Sequence, residues 1–286
     1  MTTIQSGDLI AAIKEEGAEL TSLNYKGTEH LWTAKKDVWP RHAPVLFPIV
    51  GKLKDNRYFY EGNEYELPQH GFARDMPFRQ INASGNSCCF ELKSDGETLK
   101  KYPFPFFFRI NYAVKASSII TEYAIHNPAA HPLLVSVGAH PGFRCPIGPG
   151  ERFEDYYLEF ERAELIQTPL ENGLRANGNF KLRLPGKRLG LTNTLFDNDA
   201  LVFENSQVET VSLISGKSGR SVTLKCEGWP YFGIWSKKGN TEFICLEPWH
   251  GVADHRNTTG ELNHKDGMLH IEGGKDFKCS FSITIA

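Results

Sequence analysis

The chain ends in Phe277-Lys278-Cys279-Ser280-Phe281-Ser282-Ile283-Thr284-Ile285, where apolar and polar residues alternate strictly. Successive side chains of a β-strand point to opposite faces, so this period of two predicts a strand with one buried face. Residues 57–67 predict a hairpin that turns at Glu61-Gly62-Asn63. Further short strands are predicted at residues 9–13, 155–160, 221–226 and 241–246.

Helix signals are few by comparison. The best lies in residues 94–102, where a capping residue is followed by the acid Glu97 and the pattern ends at Pro103. Many short strands with little helix indicate an all-β protein, an antiparallel sandwich or barrel, and not alternating βαβ units. We expect one domain over residues 1–286, because no long polar segment separates two cores.

Composition excludes several classes of function. The 286 residues include 32 basic and 34 acidic ones, a net charge of −2, which gives no electrostatic reason to bind nucleic acid or an anionic membrane. The first residues lack the features of a signal peptide, and no apolar run approaches the roughly 20 residues of a membrane-spanning helix. The six cysteines are scattered without metal-type spacing. We therefore expect a cytoplasmic protein with reduced thiols.

One acid stands out in Phe243-Ile244-Cys245-Leu246-Glu247-Pro248-Trp249-His250-Gly251. A carboxylate that follows a buried strand is costly unless it is paired or used, so Glu247 is a candidate for chemistry. Pro248 is expected to end the strand, and Trp249 supplies an apolar face that raises the basicity of the carboxylate. A buried salt bridge to an arginine is the structural alternative.

A histidine ends an apolar run in Val135-Ser136-Val137-Gly138-Ala139-His140-Pro141-Gly142-Phe143. Pro141 favours an extended backbone at His140, so the ring can project from a strand end into a pocket. A lone histidine beside an apolar run more often has a structural role. Together with Glu247, however, His140 provides a proton donor and a proton acceptor for one cleft.

A second histidine occurs in His70-Gly71-Phe72-Ala73-Arg74. The guanidinium of Arg74 suits fork-like contacts with hydroxyls, carboxylates or phosphate, whereas a surface pair with Asp75 or Glu66 is the alternative. His250, Asp254 and His255 follow Glu247 closely, but no second ligand cluster accompanies them, so we expect exposed loop residues and no metal site.

These segments resemble the aldose 1-epimerase family of galactose-mutarotase-like proteins, and within it the LacX-like branch. The most specific match is His126-Asn127-Pro128 followed by Pro132, Ser136, Gly138, His140-Pro141 and Phe143. Leu246-Glu247-Pro248-Trp249, Phe47-Pro48-Ile49-Val50-Gly51-Lys52 and Leu195-Phe196-Asp197-Asn198-Asp199-Ala200-Leu201 match further family segments. The resemblance implies a large antiparallel β-sandwich that holds a sugar on a concave face.

The resemblance also implies roles for residues. His140 would be the general acid, Glu247 the general base, and the two would flank one pyranose from opposite edges. His70 would assist, and Trp235 or Trp249 would stack on the sugar. Further sugar contacts would come from Lys52, where the family commonly has arginine, from Arg74, and from Asp199 in preference to Asp197. No cofactor is implied, and the partner would be a small sugar or sugar phosphate bound to a monomer or weak homodimer.

The predicted activity is that of a mutarotase, which opens and recloses the ring of a hexose or a hexose phosphate. The His-Gly-Phe-Ala-Arg arrangement also occurs in hexose-6-phosphate mutarotases, which makes a phosphorylated sugar an option. A non-catalytic carbohydrate-binding or sugar-sensing protein of the same fold is the alternative. An unrelated β-sandwich lectin or a polysaccharide lyase-like domain would require long-chain substrates.

Overall fold

Short strands make up most of the regular structure in the computed structural model, which describes residues 1–286. In chain order the strands are β1 Thr2–Ser6, β2 Leu9–Ile13, β3 Leu20–Tyr25, β4 Thr28–Glu29, β5 Val45–Leu46, β6 Arg57–Tyr60, β7 Asn63–Glu66, β8 Arg79–Ala83, β9 Ser87–Lys93, β10 Phe107–Lys115, β11 Ser118–His126, β12 Leu133–Val135, β13 Val137–Ala139 and β14 Gly142–Arg144. They continue with β15 Tyr156–Phe160, β16 Glu164–Thr168, β17 Leu170–Glu171, β18 Leu174–Arg175, β19 Phe180–Arg183, β20 Arg188–Gly190, β21 Leu201–Glu204, β22 Thr210–Ser215, β23 Ser221–Lys225, β24 Tyr231–Trp235, β25 Phe243–His250, β26 Leu269–Ile271 and β27 Asp276–Ile285.

Helical structure is limited to one α-helix and short 3₁₀ turns. The α-helix α1 spans Gly96–Lys101 and begins where Asp95 accepts hydrogen bonds from the backbone N–H groups of Glu97 and Thr98, as the capping signal predicted. The 3₁₀ turns are Lys54–Asn56, Ala73–Asp75, Phe153–Asp155, Pro185–Lys187 and Leu262–His264. No helix of the chain has the length and apolar character needed to cross a membrane.

The larger sheet has nine antiparallel strands in the order β20-β15-β22-β23-β27-β11-β10-β9-β8. The C-terminal strand β27 lies inside it, between β23 and β11. Phe281, Ile283 and Ile285 are buried on one face of this strand, as the alternation predicted. The predicted hairpin also forms, with β6 paired to β7 around Glu61 and Gly62, both of which have positive φ.

The second sheet has eight strands, in the order β19-β16-β21-β24-β25-β13-β5 with β14 also paired to β25. The two sheets face each other across a core that takes Ile110 and Ile283 from one sheet and Ile234, Ile244 and Leu246 from the other. The fold is therefore a large antiparallel β-sandwich. The same core cluster includes residues from β1 to β27, which supports our proposal that residues 1–286 form one domain.

Strand β25 does not end at Pro248, contrary to the prediction. It continues to His250, because Pro248 lies at a position where no backbone N–H is needed. On one side of β25, β14 pairs with Phe243 through Cys245, and β13 pairs with Trp249 and His250. Pro248 falls between these two ladders, so the strand keeps its alternation beyond Glu247.

Candidate functional site

A pocket opens on the face of the second sheet that lies away from the core. Its volume is about 450 Å³, within the usual range of small-molecule sites. All eight residues predicted from the sequence line it, namely Lys52, His70, Arg74, His140, Asp199, Trp235, Glu247 and Trp249. Residues that are far apart in the chain thus meet at one concave surface.

The floor of the pocket is strand β25. Ile244 and Leu246 point into the sandwich core, so alternation directs Glu247 and Trp249 to the opposite face, where both line the pocket. His140 follows the end of β13 directly. The register of β13 and of β14 on β25, with Gly138 opposite Trp249 and Gly142 opposite Cys245, brings His140 opposite Glu247. Directly opposed residues have neighbouring side chains.

His140 and Glu247 are therefore in contact. Nε2 of His140 lies 3.2 Å from Oε2 of Glu247, and the two residues are only 8% and 1% exposed. The prediction that they flank a sugar from opposite edges is wrong, because a sugar ring does not fit between two atoms at this distance. They instead form one acid–base pair, and both line the pocket.

Burial controls the protonation of this pair. Removal from water lowers the pKa of His140 to about 3 and raises the pKa of Glu247 well above its ordinary value. Both shifts favour neutral groups, so burial biases the pair towards a neutral imidazole and a carboxyl group that keeps its proton. Moving it across the 3.2 Å contact would create a carboxylate and an imidazolium with no change in total charge.

Several buried polar atoms of the pocket residues have no hydrogen-bond partner. They are Nδ1 of His140, Oε2 of Glu247, Nε1 of Trp249 and Nε of Arg74. Buried polar groups are nearly always satisfied in folded proteins, so a concentration of unpaired atoms marks a place where a ligand completes the hydrogen bonding. The free donors and acceptors suit a molecule rich in hydroxyl groups.

His70 is held as a hydrogen-bond donor toward the pocket. Its Nδ1 accepts a hydrogen bond of 3.1 Å from the backbone N–H of Gly51, and burial keeps its pKa well below the ordinary value. A neutral imidazole that accepts at Nδ1 carries its proton on Nε2. The ring lies edge-on to His140 with centroids 5.7 Å apart. His70 therefore carries its N–H at Nε2, close to the acid–base pair, and the side-chain amide of Gln69 lies 3.3 Å from that nitrogen.

Two cationic side chains lie at the pocket wall. Arg74 donates a hydrogen bond of 2.8 Å to the carbonyl of Gln69, and its Nε lies 3.7 Å from Oδ2 of Asp75. Arg74 therefore lines the pocket, as predicted, and also pairs with Asp75, which was the alternative. Lys52 donates to the carbonyl of Asn172 at 3.1 Å. Neither cation is neutralised by a buried carboxylate, so both can face an anionic or polar ligand.

The acid expected near the sugar is Asp199, which lines the pocket. Asp197 does not line this pocket, and it shares a neighbouring shallow depression with Asp199. Asp199 has a φ of 80°, an uncommon backbone conformation for a residue other than glycine, and its carboxylate accepts a hydrogen bond from the N–H of Ala200. This local turn holds Asp199 at the pocket, and its contact with a sugar stays a prediction.

Aromatic rings enclose the pair. Trp235 lies edge-on to His140 with ring centroids 5.7 Å apart, and Trp249 lines the pocket beside Glu247. Sequence reasoning missed Trp39, whose indole stacks on His140 with centroids 5.0 Å apart. The sequence did contain a signal for Trp39, because it is a large apolar residue within the charged, loop-like segment 35–40. A side chain of this kind is usually covered by another part of the protein.

A family model described as aldose 1-epimerase matches residues 1–263. The chain belongs to the aldose 1-epimerase family. This membership confirms the family predicted from the sequence.

Relatives within the aldose 1-epimerase family support the assignment over the whole chain. The plasmid-encoded protein LacX of Lactococcus lactis subsp. lactis is 33% identical, with 97% of this chain and 96% of LacX covered. The structure of a galactose mutarotase related enzyme from Lactobacillus acidophilus superposes with a TM-score of 0.95 at 37% identity, covering 100% and 97% of the two chains. A galactose mutarotase-like protein from Lactobacillus casei superposes with a TM-score of 0.91 at 30% identity, with both chains fully covered.

One residue beside the pocket of this aldose 1-epimerase family member corrects the sequence prediction. Asp254 is not an exposed loop residue: it is 4% exposed, and its carboxylate lies 3.0 Å from the ammonium of Lys265. Asp254 also accepts from the N–H of Lys54 and donates its own N–H to the carbonyl of Lys52. The buried ion pair thus fixes the backbone that carries Lys52.

The other two predicted loop residues differ as well. His250 is the last residue of strand β25 and packs against Trp229, with ring centroids 4.6 Å apart, and burial lowers its pKa to about 4. His255 is half-buried and forms a backbone bridge with Arg175. Neither residue lines the pocket. The signal that could have identified Asp254 is weak, because Lys265 is distant in the sequence.

Proposed function

We propose that the protein is a mutarotase that interconverts the α and β anomers of a hexose or a hexose 6-phosphate. The observation that carries this proposal is the contact between His140 and Glu247 at the floor of an open pocket. Mutarotation needs a proton removed from the anomeric hydroxyl and a proton delivered to the ring oxygen. These two oxygens are bonded to the same carbon, so a catalyst needs its acid and base side by side.

The reaction begins with Glu247 as the carboxylate and His140 as the imidazolium. Glu247 takes the proton from the hydroxyl on C1 while His140 gives its proton to the ring oxygen. The C1–O5 bond breaks, a C1=O1 carbonyl forms, and the C5 hydroxyl is released. Rotation about C1–C2 exposes the other face of the carbonyl, and the reverse proton transfers close the ring to the other anomer.

The proton balance of this cycle agrees with the pKa shifts. Ring opening leaves Glu247 protonated and His140 neutral, the arrangement that burial favours in the free pocket. The site is therefore complementary to the open-chain intermediate, and hydrogen bonds from the sugar help to form the charged arrangement at the start. Each well-placed proton-transfer group typically contributes about 10²–10⁴-fold in rate.

The remaining residues position the sugar. His70 donates from Nε2 to a hydroxyl, Asp199 accepts from another at the rim, and Trp249 or Trp235 provides the apolar surface for the ring. Lys52 and Arg74 contact the substituent at C6, where two cations would favour a phosphate over a hydroxyl. These roles are supported by the presence of all these residues in one pocket.

The test is NMR exchange or polarimetry on α-glucose, α-galactose and their 6-phosphates. Glu247→Gln and His140→Asn should each remove most of the acceleration, by roughly 10²-fold or more, with an unchanged fold. His126→Asn and Glu122→Gln make the same chemical changes on the other sheet and should leave the rate unchanged. Anomer exchange at the wild-type rate in both pocket variants would overturn the proposal. Saturable sugar binding by the wild type without faster exchange would favour the sugar-sensing alternative.

A further inference from the structure

A third chemically reactive side chain adjoins the acid–base pair. Cys245 lies two residues before Glu247 on β25, so both side chains project from the same face of the strand. A ring nitrogen of His140, Sγ of Cys245 and a carboxylate oxygen of Glu247 all lie within 4.8 Å of one another. All three residues are buried. Mutarotation as derived above uses no thiol, so Cys245 has no part in it.

We propose that His140, Cys245 and Glu247 form a binding site for a thiophilic divalent cation, with Zn²⁺ as the best fit. Imidazole nitrogen, thiolate sulfur and carboxylate oxygen are the ligand types that zinc takes in proteins. The pocket supplies an open fourth position for water or a substrate oxygen, because His140 and Glu247 both line it. The spacing of cysteines along the chain could not indicate this site, because pairing of β13 and β14 with β25 brings His140 next to Cys245 and Glu247.

The distances suit a small cation after a modest adjustment. Tetrahedral bonds of zinc to nitrogen, oxygen and sulfur place the ligand atoms about 3.3–3.8 Å apart. The His140–Glu247 contact, at 3.2 Å, is already near this value. The widest separation, at most 4.8 Å, needs about 1 Å of side-chain movement, within reach of rotations about the side-chain bonds.

A second observation points independently to a ligand at this place. Oε2 of Glu247, which faces Nε2 of His140, is buried without any hydrogen-bond partner. The enclosing groups are aromatic: Trp39 stacks on His140, and Trp235 lies opposite Cys245 in the strand pairing. The carbon faces of these rings offer no ligand atoms that would compete with the three side chains for the cation.

Binding of the cation is a proton-releasing reaction. The S–H bond of Cys245 and the O–H bond of Glu247 break, bonds from sulfur and oxygen to the metal form, and each group delivers its proton to solvent. His140 binds as the neutral imidazole. Two anionic ligands then balance the charge of the cation, which suits a buried site. Occupancy removes both proton-transfer groups from the sugar, so the metal inhibits mutarotation; this consequence rests on the proposed function.

Cobalt titration of the full-length protein tests the site without an activity assay. We expect one equivalent of Co²⁺ to give a thiolate-to-cobalt charge-transfer band and the strong visible bands of tetrahedral coordination, both displaced by Zn²⁺. Cys245→Ala should abolish the charge-transfer band, and Cys245→Ser serves if the alanine variant does not fold. Cys89→Ser changes a partly exposed thiol on the other sheet and should leave the spectrum intact.

A zinc titration read by proton release and by mutarotation completes the test. Zn²⁺ should inhibit the wild type reversibly, and Cys245→Ala should need at least about tenfold more Zn²⁺, the smallest effect expected even of an outer-shell partner. No charge-transfer band, or a band that survives in Cys245→Ala and Cys245→Ser, overturns the metal site. A normal cobalt spectrum in a protein that does not accelerate anomer exchange would refute the proposed function and leave the metal site standing.

Discussion

Gly233 lies directly beneath the indole of Trp249, and a Cβ atom at position 233 would be 2.3 Å from the ring. Gly233 is also opposite Glu247 in the pairing of β24 with β25. Gly233→Ala should therefore displace Trp249 and with it the neighbouring carboxyl group. We expect a loss of about 1–3 kcal/mol in the free energy of unfolding, as in other overpacked sites, and slower anomer exchange.

Urea unfolding and the NMR exchange assay check this prediction. Gly85→Ala is the matched control, because a Cβ at position 85 meets open space, and it should change the free energy of unfolding by no more than about 0.5 kcal/mol. Equal stability of the two variants would show that Trp249 moves freely and does not define the pocket floor.

Glu247→Gln should alter the pH dependence of stability. The raised pKa of Glu247 means that the folded protein keeps this proton at pH values where the unfolded chain has released it. Wild-type stability therefore loses roughly 1.4 kcal/mol for each pH unit between the unfolded and folded pKa values as pH rises. Glutamine has no such proton, so the variant should gain stability relative to the wild type through this window.

The pKa shift of His140 changes stability with pH in the opposite direction, and His140 is present in both the wild type and Glu247→Gln. Its pKa of about 3 means that the unfolded chain binds a proton first as pH falls below the ordinary histidine value, so stability is lost on acidification through that range. Denaturation series at several pH values isolate the Glu247 contribution as the difference between wild type and variant. Glu227→Gln, an exposed control, should run parallel to the wild type. A parallel course for Glu247→Gln would contradict the protonated state assigned to Glu247.

The pH profile of mutarotation should have a broad plateau. The proposed mechanism requires one proton on the His140–Glu247 pair, and two groups at this distance titrate together. The acid limb should fall far below the ordinary histidine pKa, since a second proton reaches the pair only near the lowered value of about 3. The alkaline limb should lie above the ordinary carboxyl pKa, because burial raises the pKa of Glu247. A single limb near the ordinary histidine value would count against a shared proton.

Lys265→Met should weaken both the fold and the pocket. It leaves the carboxylate of Asp254 buried without its cation, a change that typically costs about 3–5 kcal/mol. Asp254 also holds the backbone of Lys52 and Lys54, so KM for the sugar should rise more than kcat falls. Adding Asp254→Asn should restore part of the stability. Lys100→Met breaks an exposed pair with Glu97 and should change stability by at most about 1 kcal/mol.

Arg74→Gln tests the contribution of charge to substrate choice. If Arg74 contacts a phosphate at C6, the variant should raise KM for glucose 6-phosphate by about tenfold or more and change KM for glucose far less. Arg57→Gln removes an exposed guanidinium that does not line the pocket and should affect neither sugar. Equal effects of Arg74→Gln on both sugars would argue for a free hexose as the substrate.

Much of the fold followed from local patterns. The alternation in residues 277–285, the Glu61-Gly62 turn and the capping signal before Glu97 each act through neighbouring residues, and each element formed where it was predicted. The end of β25 was placed wrongly because the effect of Pro248 depends on which strands lie beside it. A proline ends a strand only where its missing N–H would have been paired.

In the candidate site, too, local patterns predicted some features, whereas others depend on how distant strands pair. All eight residues predicted from the sequence line the pocket, but the sequence did not indicate how they meet. The side-by-side placement of His140 and Glu247 depends on the register between β13 and β25, which no local pattern encodes. The buried Asp254–Lys265 pair and the stacking of Trp39 also depend on chain segments that meet only in the folded protein.

In the proposed mechanism, the placement of His140 and Glu247 on adjoining strands brings both proton-transfer groups to the sugar from a single direction. The aldehyde formed on ring opening must rotate by about 180° around the C1–C2 bond. A catalytic side chain on the opposite side of the sugar would obstruct this rotation. Because both proposed catalytic groups lie at the pocket floor, the C1 aldehyde of the open-chain sugar can rotate in the open part of the pocket. The same two groups can then serve either face of the carbonyl without moving.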